Sequence, residues 1–256
     1  MIKGKKRQIF LVMAFGLLLL ISFSSAVNLY EKRVLIGDYL TKATGKQPYV
    51  RADANVYWAK EIMNGGYILH FRHAERDKWI DVQMYDALES DVHSNGVNES
   101  RYAEKDYFDR AVCLNDRGKI QAKAMGESLK HIKLPIGAVH SSVSCRARET
   151  ADLTFGGYDQ LHRILVHKGP YNEDEQKRVE YLKNLYSSFA TVDGKNTIVS
   201  AHNSVINCGM FINDKCPIDP FLEEGGFYVL RNTKDGLLFE HEFHFFREFN
   251  KVFYER

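Results

Sequence analysis

The sequence predicts an α/β fold, a three-layer α/β/α sandwich with a mostly parallel central sheet. Three observations predict it. Short apolar runs such as Tyr67-Ile68-Leu69-His70-Phe71 and Thr197-Ile198-Val199-Ser200-Ala201 read as strands buried on both faces. Stretches between such runs carry apolar residues at helical spacing, and the two kinds alternate along the chain. The length of 256 residues suits one sizeable domain and little more.

The first element is set apart by charge. Lys3, Lys5, Lys6 and Arg7 precede an apolar run from Ile9 to Val27 that ends near Ser24-Ser25-Ala26. A positive start, an apolar stretch and small residues at its end describe a secretory signal peptide. The run is also nearly long enough to span a bilayer as a retained anchor. Either way the basic end stays cytoplasmic and the rest crosses, so an extracytoplasmic location, periplasmic or at the cell surface, is expected. Residues 1–27 are thus a signal peptide or membrane anchor, 28–52 a polar stalk or packing arm, and 53–256 the folded domain.

Asp53 is placed to cap a helix through Met63, which Asn64-Gly65-Gly66 then stops. The strand at 67–71 follows. A polar stretch of irregular pattern, about 78–109, reads as an insertion near the site, and it carries the sequon Asn98-Glu99-Ser100. From Asp116 to Lys133 the spacing of Ile120, Ala124, Met125 and Leu129 is helical, and Pro135 ends it. Ala138-Val139-His140 is a short strand, Ser144–Phe155 a helix, Arg163–Val166 a weak strand and Glu173–Phe189 a further helix. The strand at 197–201 comes next. Phe227–Leu230 and Leu237–Phe239 form a hairpin around Lys234-Asp235-Gly236. The aromatics Phe243, Phe245, Phe246, Phe249, Phe253 and Tyr254 that close the chain read as a docking surface.

Composition excludes several classes of function. About 45% of residues are hydrophobic and 27% charged, the balance of a folded protein. The net charge of +2, with both signs interleaved, gives no basic field for nucleic acid. Cys113, Cys145, Cys208 and Cys216 contain no CxxC pair, so a zinc site built from them is not expected. Beyond an export segment they permit disulfides in three pairings, and Cys208 and Cys216 are near enough to close a short loop, while buried free thiols are the other reading. His241-Glu242-Phe243-His244 is one residue short of the HExxH zinc spacing and reads as non-metal.

Chemistry gathers after three of the strands. Phe71-Arg72-His73-Ala74-Glu75-Arg76, His140-Ser141-Ser142-Val143-Ser144-Cys145-Arg146 and Ser200-Ala201-His202-Asn203 each place reactive polar groups where a buried run ends. In open parallel sheets the carboxyl ends of strands are where ligands bind. Arg72, Arg76 and Arg146 offer planar forks suited to phosphate oxygens. His73 is a candidate nucleophile, kept neutral by the neighbouring cations. His202 is a second donor to the phosphoryl group. His70 reads as a core histidine, His140 as facing either the site or the core, and Glu75 as solvated or supporting.

Arg72-His73-Ala74-Glu75-Arg76 resembles the RHG signature of the histidine phosphatase (phosphoglycerate mutase-like) superfamily, with Ala74 at the glycine position. Ser141–Ala151 is similar to its SSxxxRAxxTA motif, Ala201-His202 to its second-histidine motif, and Leu114, Gly118, Gln121 and Ala122 to its L…G…QA helix opening. The resemblance runs from about Gly65 to Leu230 in the family's order. It implies that His73 accepts the phosphoryl group and that Arg146 binds phosphate. In the acid phosphatase branch the acid follows the second histidine as aspartate, but here it is Asn203. Tyr171-Asn172-Glu173 resembles the other branch's acid position, which makes Glu173 the proposed general acid, with Asp174 and Glu175 as competitors. Within the superfamily the apolar N-terminal segment, the FRHAER run and the His-Asn pair are most similar to small exported phosphatases of lipopolysaccharide core heptose, from which the 78–109 insertion departs.

The expectation is therefore a phosphomonoesterase that needs no metal or other cofactor. Its partners would be a phosphorylated glycan, lipid or small molecule and, through the N-terminal segment, a membrane. A phosphohistidine or phosphoprotein phosphatase is the alternative within the class. A phosphate-binding module without turnover is the alternative outside it.

Overall fold

A computed structural model of the chain describes residues 51–77, 112–166, 175–189, 192, 194–213, 215–217 and 222–254. Contacts divide the chain into Met1–Arg51 and Ala52–Arg256, and the described residues fall in the second unit except Arg51. The apolar run at 9–27, the arm at 28–52 apart from its last two residues, and the insertion at 78–109 lie outside the described residues. Among the described residues no helix is long and apolar enough to cross a membrane.

Helix α1 (Arg51–Glu61) leads into a short 3₁₀ turn, Ile62–Asn64, and then strand β1 (Ile68–Arg72). Asp53 sits in the first turn of α1, where a negative charge complements the exposed amides. Gly65 ends the turn at a φ of +75°, and a Cβ there would lie 2.3 Å from the backbone of Gly194. Helix α2 (Asp116–His131) is capped by Asn115, whose side chain accepts the Gly118 amide at 2.7 Å. Strand β2 (Ile136–Ser142), helix α3 (Cys145–Phe155), strand β3 (Gln160–His162), helix α4 (Glu175–Ser188) and strand β4 (Asn196–Ala201) follow. Strands β5 (Phe227–Thr233) and β6 (Gly236–Phe243) form the expected hairpin, and helix α5 (Phe246–Tyr254) ends the described chain.

The sheet order is β3-β2-β4-β1-β5-β6. Strands β3, β2, β4 and β1 are parallel, while β5 runs antiparallel to both β1 and β6. The alternation of side chains across the strands separates two apolar layers. On one face Ile68, Val199, Tyr228 and Leu230 pack with Leu182 and Tyr186 of α4. On the other, Leu69, Phe71, Ile198, Phe227 and Val229 pack with α1, α2, α3 and α5 through Ala59, Met125, Ala151 and Phe249. The predicted sandwich is the observed one.

Two expectations need correction. The edge strand is Gln160–His162, paired to His140–Ser142, and Arg163–Leu165 is a 3₁₀ turn. Leu165 and Val166 are fully buried because that turn packs on the sheet, so apolarity there marks a covered turn. The closing aromatics are also largely internal. Phe243 and Phe249 are fully buried, and Phe246 and Phe253 pack against the same layer, so α5 closes the chain's own core.

Both disulfides of the four cysteines are formed, Cys113–Cys145 and Cys208–Cys216. The second is the short loop anticipated from spacing. The first joins the residue before Arg146 to a segment 32 positions earlier.

Candidate active site

Strands β1, β2 and β4 are neighbours in the parallel part of the sheet, so their carboxyl ends share one rim. His73 leaves β1 with its backbone amide donating to Ala201 of β4 at 3.1 Å. That bond sets the first histidine beside the second, and the rings of His73 and His202 stand 5.3 Å apart, edge to face. His73 Nδ1 lies 2.7 Å from the carbonyl of Ala74. A carbonyl only accepts, so Nδ1 carries the proton and Nε2 keeps the lone pair. Burial, with the guanidinium groups of Arg146 and Arg72, holds this imidazole well below the ordinary histidine pKa; Ala74 opposes that, and Arg76 adds to it. The result is a neutral ring with its nucleophilic nitrogen defined.

Arg146 is 1% exposed although it is a full cation on the first turn of α3. Its guanidinium donates to the Val112 carbonyl at 3.4 Å and to His202 Nδ1 at 3.3 Å. With Nδ1 accepting, His202 Nε2 bears the proton and faces Ser142 Oγ at 3.3 Å. Arg72 donates to the Leu222 carbonyl and pairs with Glu224 at 3.6 Å. Burial lowers its pKa, and the carboxylates of Glu224 and Glu223 oppose that. Arg76 donates to the Asp77 carbonyl at 3.0 Å.

The arginine motif makes sense residue by residue. Thr150 Oγ1 accepts the Ala74 amide at 2.9 Å and donates to the Arg146 carbonyl at 2.7 Å, tying the nucleophile's loop to the arginine's helix. Ala147 and Ala151 are fully buried, and Ser200 donates to the Ala147 carbonyl at 2.8 Å, so α3 lies close against β4. Gln121 accepts the Glu75 amide and donates to the Glu224 carbonyl, joining two sides of the rim.

Structure therefore brings His73, Arg72, Arg146 and His202 together, with Arg76 close enough to act on His73 electrostatically. Glu173 and Asp174 lie outside the described residues, as does the side chain of Glu175. Glu75 pairs with Arg117 and accepts from Asn115, a supporting position. His140 is settled on the covered side, stacked 4.2 Å from Phe189 and hydrogen-bonded to His162. His241 bonds Asn55 at 2.7 Å. Cys113, Cys145 and Glu149 are grouped tightly, but the two sulfurs are bonded to each other and are not thiolates free to ligate a metal.

Four participants were not read from sequence. Ser142, Glu224 and the carbonyls of Val112 and Leu222 touch the key side chains, yet only Ser142 lay within a motif. His70 is the fifth surprise. It is buried as expected, but it accepts from the Tyr186 hydroxyl at 2.6 Å and donates to the His202 carbonyl at 3.1 Å, so it orients the second histidine's backbone.

The sequence pattern of the histidine phosphatase superfamily (branch 1) matches residues 97–165, a stretch that holds Gly118, Gln121, Ala122 and the whole arginine motif. None of the curated proteins compared with the sequence matches it. Among solved structures, the protein histidine phosphatase SixA complexed with tungstate is similar at 16% identity, covering 69% of this chain and 95% of that one, with a TM-score of 0.42. A putative alpha-ribazole-5'-P phosphatase from Escherichia coli is 16% identical over 70% of this chain and 98% of its own, with a TM-score of 0.45. Phosphoglycerate mutase from Plasmodium falciparum is 16% identical over 68% of this chain and 88% of its own, with a TM-score of 0.39. The superfamily's sequence pattern is thus matched across the arginine motif, and the two histidines and the buried arginine meet at one rim.

Proposed function

We propose that the protein is an exported or membrane-anchored phosphomonoesterase that works through a phosphohistidine on His73. The observation that carries the reading is the neutral, buried His73 imidazole, its Nδ1 tied to Ala74 and its ring flanked by Arg146, Arg72 and His202. Nε2 attacks phosphorus, the P–O bond to the substrate alcohol breaks, and Glu173 gives its proton to the departing oxygen. Arg146 and Arg72 hold the equatorial oxygens as charge shifts, and His202 donates its Nε2–H. Water then attacks the phosphohistidine, giving up a proton to the same carboxylate. The P–N bond breaks and phosphate leaves. The guanidinium groups supply the positive charge this transfer needs, so activity in chelator is expected.

The basic and apolar N-terminal sequence supports a site outside the cytoplasmic membrane. Together with the family likeness it favours a phosphorylated envelope glycan or lipid headgroup as substrate. The test is hydrolysis of an aryl phosphate in chelator by the full chain beside His73→Ala. We expect loss of turnover in the variant and an acid-labile phosphoenzyme trapped only in the parent. Equal turnover by both would remove His73 as nucleophile. Phosphate binding without turnover in the parent would leave a phosphate-binding module. Phosphorylated sugars, lipid headgroups and a phosphohistidine peptide, compared by kcat/KM, distinguish the substrate classes.

A further inference from the structure

The segment Val112–Asn115 spans the two halves of the site. At one end Asn115 donates its backbone amide to Glu75 at 3.3 Å and its side-chain amide to Glu75 and Asp77, on the loop that carries His73. At the other, Cys113 is bonded to Cys145, the residue before Arg146, and the Leu114 amide donates to Glu149 at 2.7 Å, one turn further along α3. Between these ties the Val112 carbonyl accepts from the Arg146 guanidinium. All of Val112, Cys113 and Leu114 are buried.

We propose that the Cys113–Cys145 disulfide is a positioning device for Arg146: it fixes the Val112 carbonyl against the guanidinium and so sets the fork that grips phosphate. Its meaning for phosphate rests on the phosphatase reading; the placement of the guanidinium does not. Val112 and His202 both accept from the Arg146 guanidinium, and a planar fork held at more than one point has little freedom to turn. A covalent tie to the adjacent residue keeps one acceptor in place at no side-chain cost on each turnover. Removing it leaves the segment held by the Glu149 and Asn115 hydrogen bonds, enough to keep it near and too little to fix its carbonyl to a fraction of an ångström. A dithiol reductant undoes the tie: two electrons and two protons pass to the sulfurs, giving two thiols, and the dithiol closes to its own disulfide. The site then becomes sensitive to redox state without any cysteine taking part in chemistry.

The experiment uses the full chain with Cys208→Ser and Cys216→Ser, so that one disulfide remains, and compares it oxidised, reduced with a dithiol, and carrying Cys113→Ser. Two readouts are taken: the ¹⁵N–¹H resonance of the Arg146 Nε–H, assigned with Arg146→Lys, and inhibition by vanadate. Reduction and Cys113→Ser should each shift or broaden the Arg146 resonance while the unfolding transition stays cooperative. Vanadate should weaken about tenfold, the loss of one hydrogen bond to a charged group. Cys113→Ser should be indifferent to reductant. An Arg146 resonance unchanged by both treatments overturns the proposal, whatever the vanadate result. A resonance that moves in a protein which never binds vanadate upholds the positioning and defeats the phosphatase reading instead.

Discussion

At the scale of single residues, His73 is held neutral by burial and by Arg146 and Arg72. A lowered pKa means the charged form is disfavoured, so the nucleophile stays competent as the solution is acidified through the ordinary histidine range. The acid limb of kcat/KM should therefore show no inflection near pH 6.5 from this group and should fall only at lower pH. Replacing Arg72 with Gln removes one cation and should move that limb upward, as read from a pH profile of aryl phosphate hydrolysis. His73, Arg72, Arg146 and His202 were all legible in the sequence, because each stood beside a buried run with a recognisable pattern. Glu224 was not legible. It reaches Arg72 from 152 positions along the chain, and nothing local in the sequence distinguishes it from any other acid.

At the scale of elements, the site depends on how closely α2 approaches the loop after β1. Gly118 has no side chain because a Cβ there would lie 1.9 Å from the carbonyl of Glu75. Helix propensity alone says that alanine improves a helix by about 1 kcal/mol over glycine. Here the clash is with backbone, which cannot swing away as a flexible side chain can, so Gly118→Ala should destabilise by about 1–3 kcal/mol. Denaturant unfolding checks the sign, and a weaker grip on vanadate should accompany it because Glu75 adjoins Ala74. The sequence showed the helix and its family-like glycine, but the reason for the glycine lies in a contact between elements. The same limit explains the edge strand. Ile164, Leu165 and Val166 look like a strand by composition, and only the pairing of Gln160–His162 with β2 shows that the ladder has already ended.

For the whole molecule, the layered sheet and its order of elements were readable because strand and helix periods differ and alternate. His70 was readable as a core histidine, but its partners were not. His70 is fully buried between Tyr186 and His202, and burial brings its pKa to about 4. In the unfolded chain it titrates near 6.5, so between these values the unfolded state binds a proton that the folded state does not. Stability contributed by this group is fully present above pH 6.5 and is lost as pH falls toward 4. The cost is roughly 3 kcal/mol over that window. Urea unfolding at pH 7, 5.5 and 4.5 should show the slope, and His70→Gln should flatten it while lowering stability at pH 7. An unchanged slope in the variant would show that other groups control the acid response.

Arg72 and Asn203 both donate to one atom, the carbonyl oxygen of Leu222. Two motifs far apart in the chain thus share an anchor that belongs to the main chain and is indifferent to the letter at position 222. A conventional side-chain scan passes over such an atom: Leu222→Ala trims the core and leaves the oxygen where it is. It is removed only by rerouting the chain, through a deletion nearby or a proline at Glu223, whose amide is itself committed to the His244 carbonyl. The grip on a substrate would then be spoiled by an edit that touches no charged group.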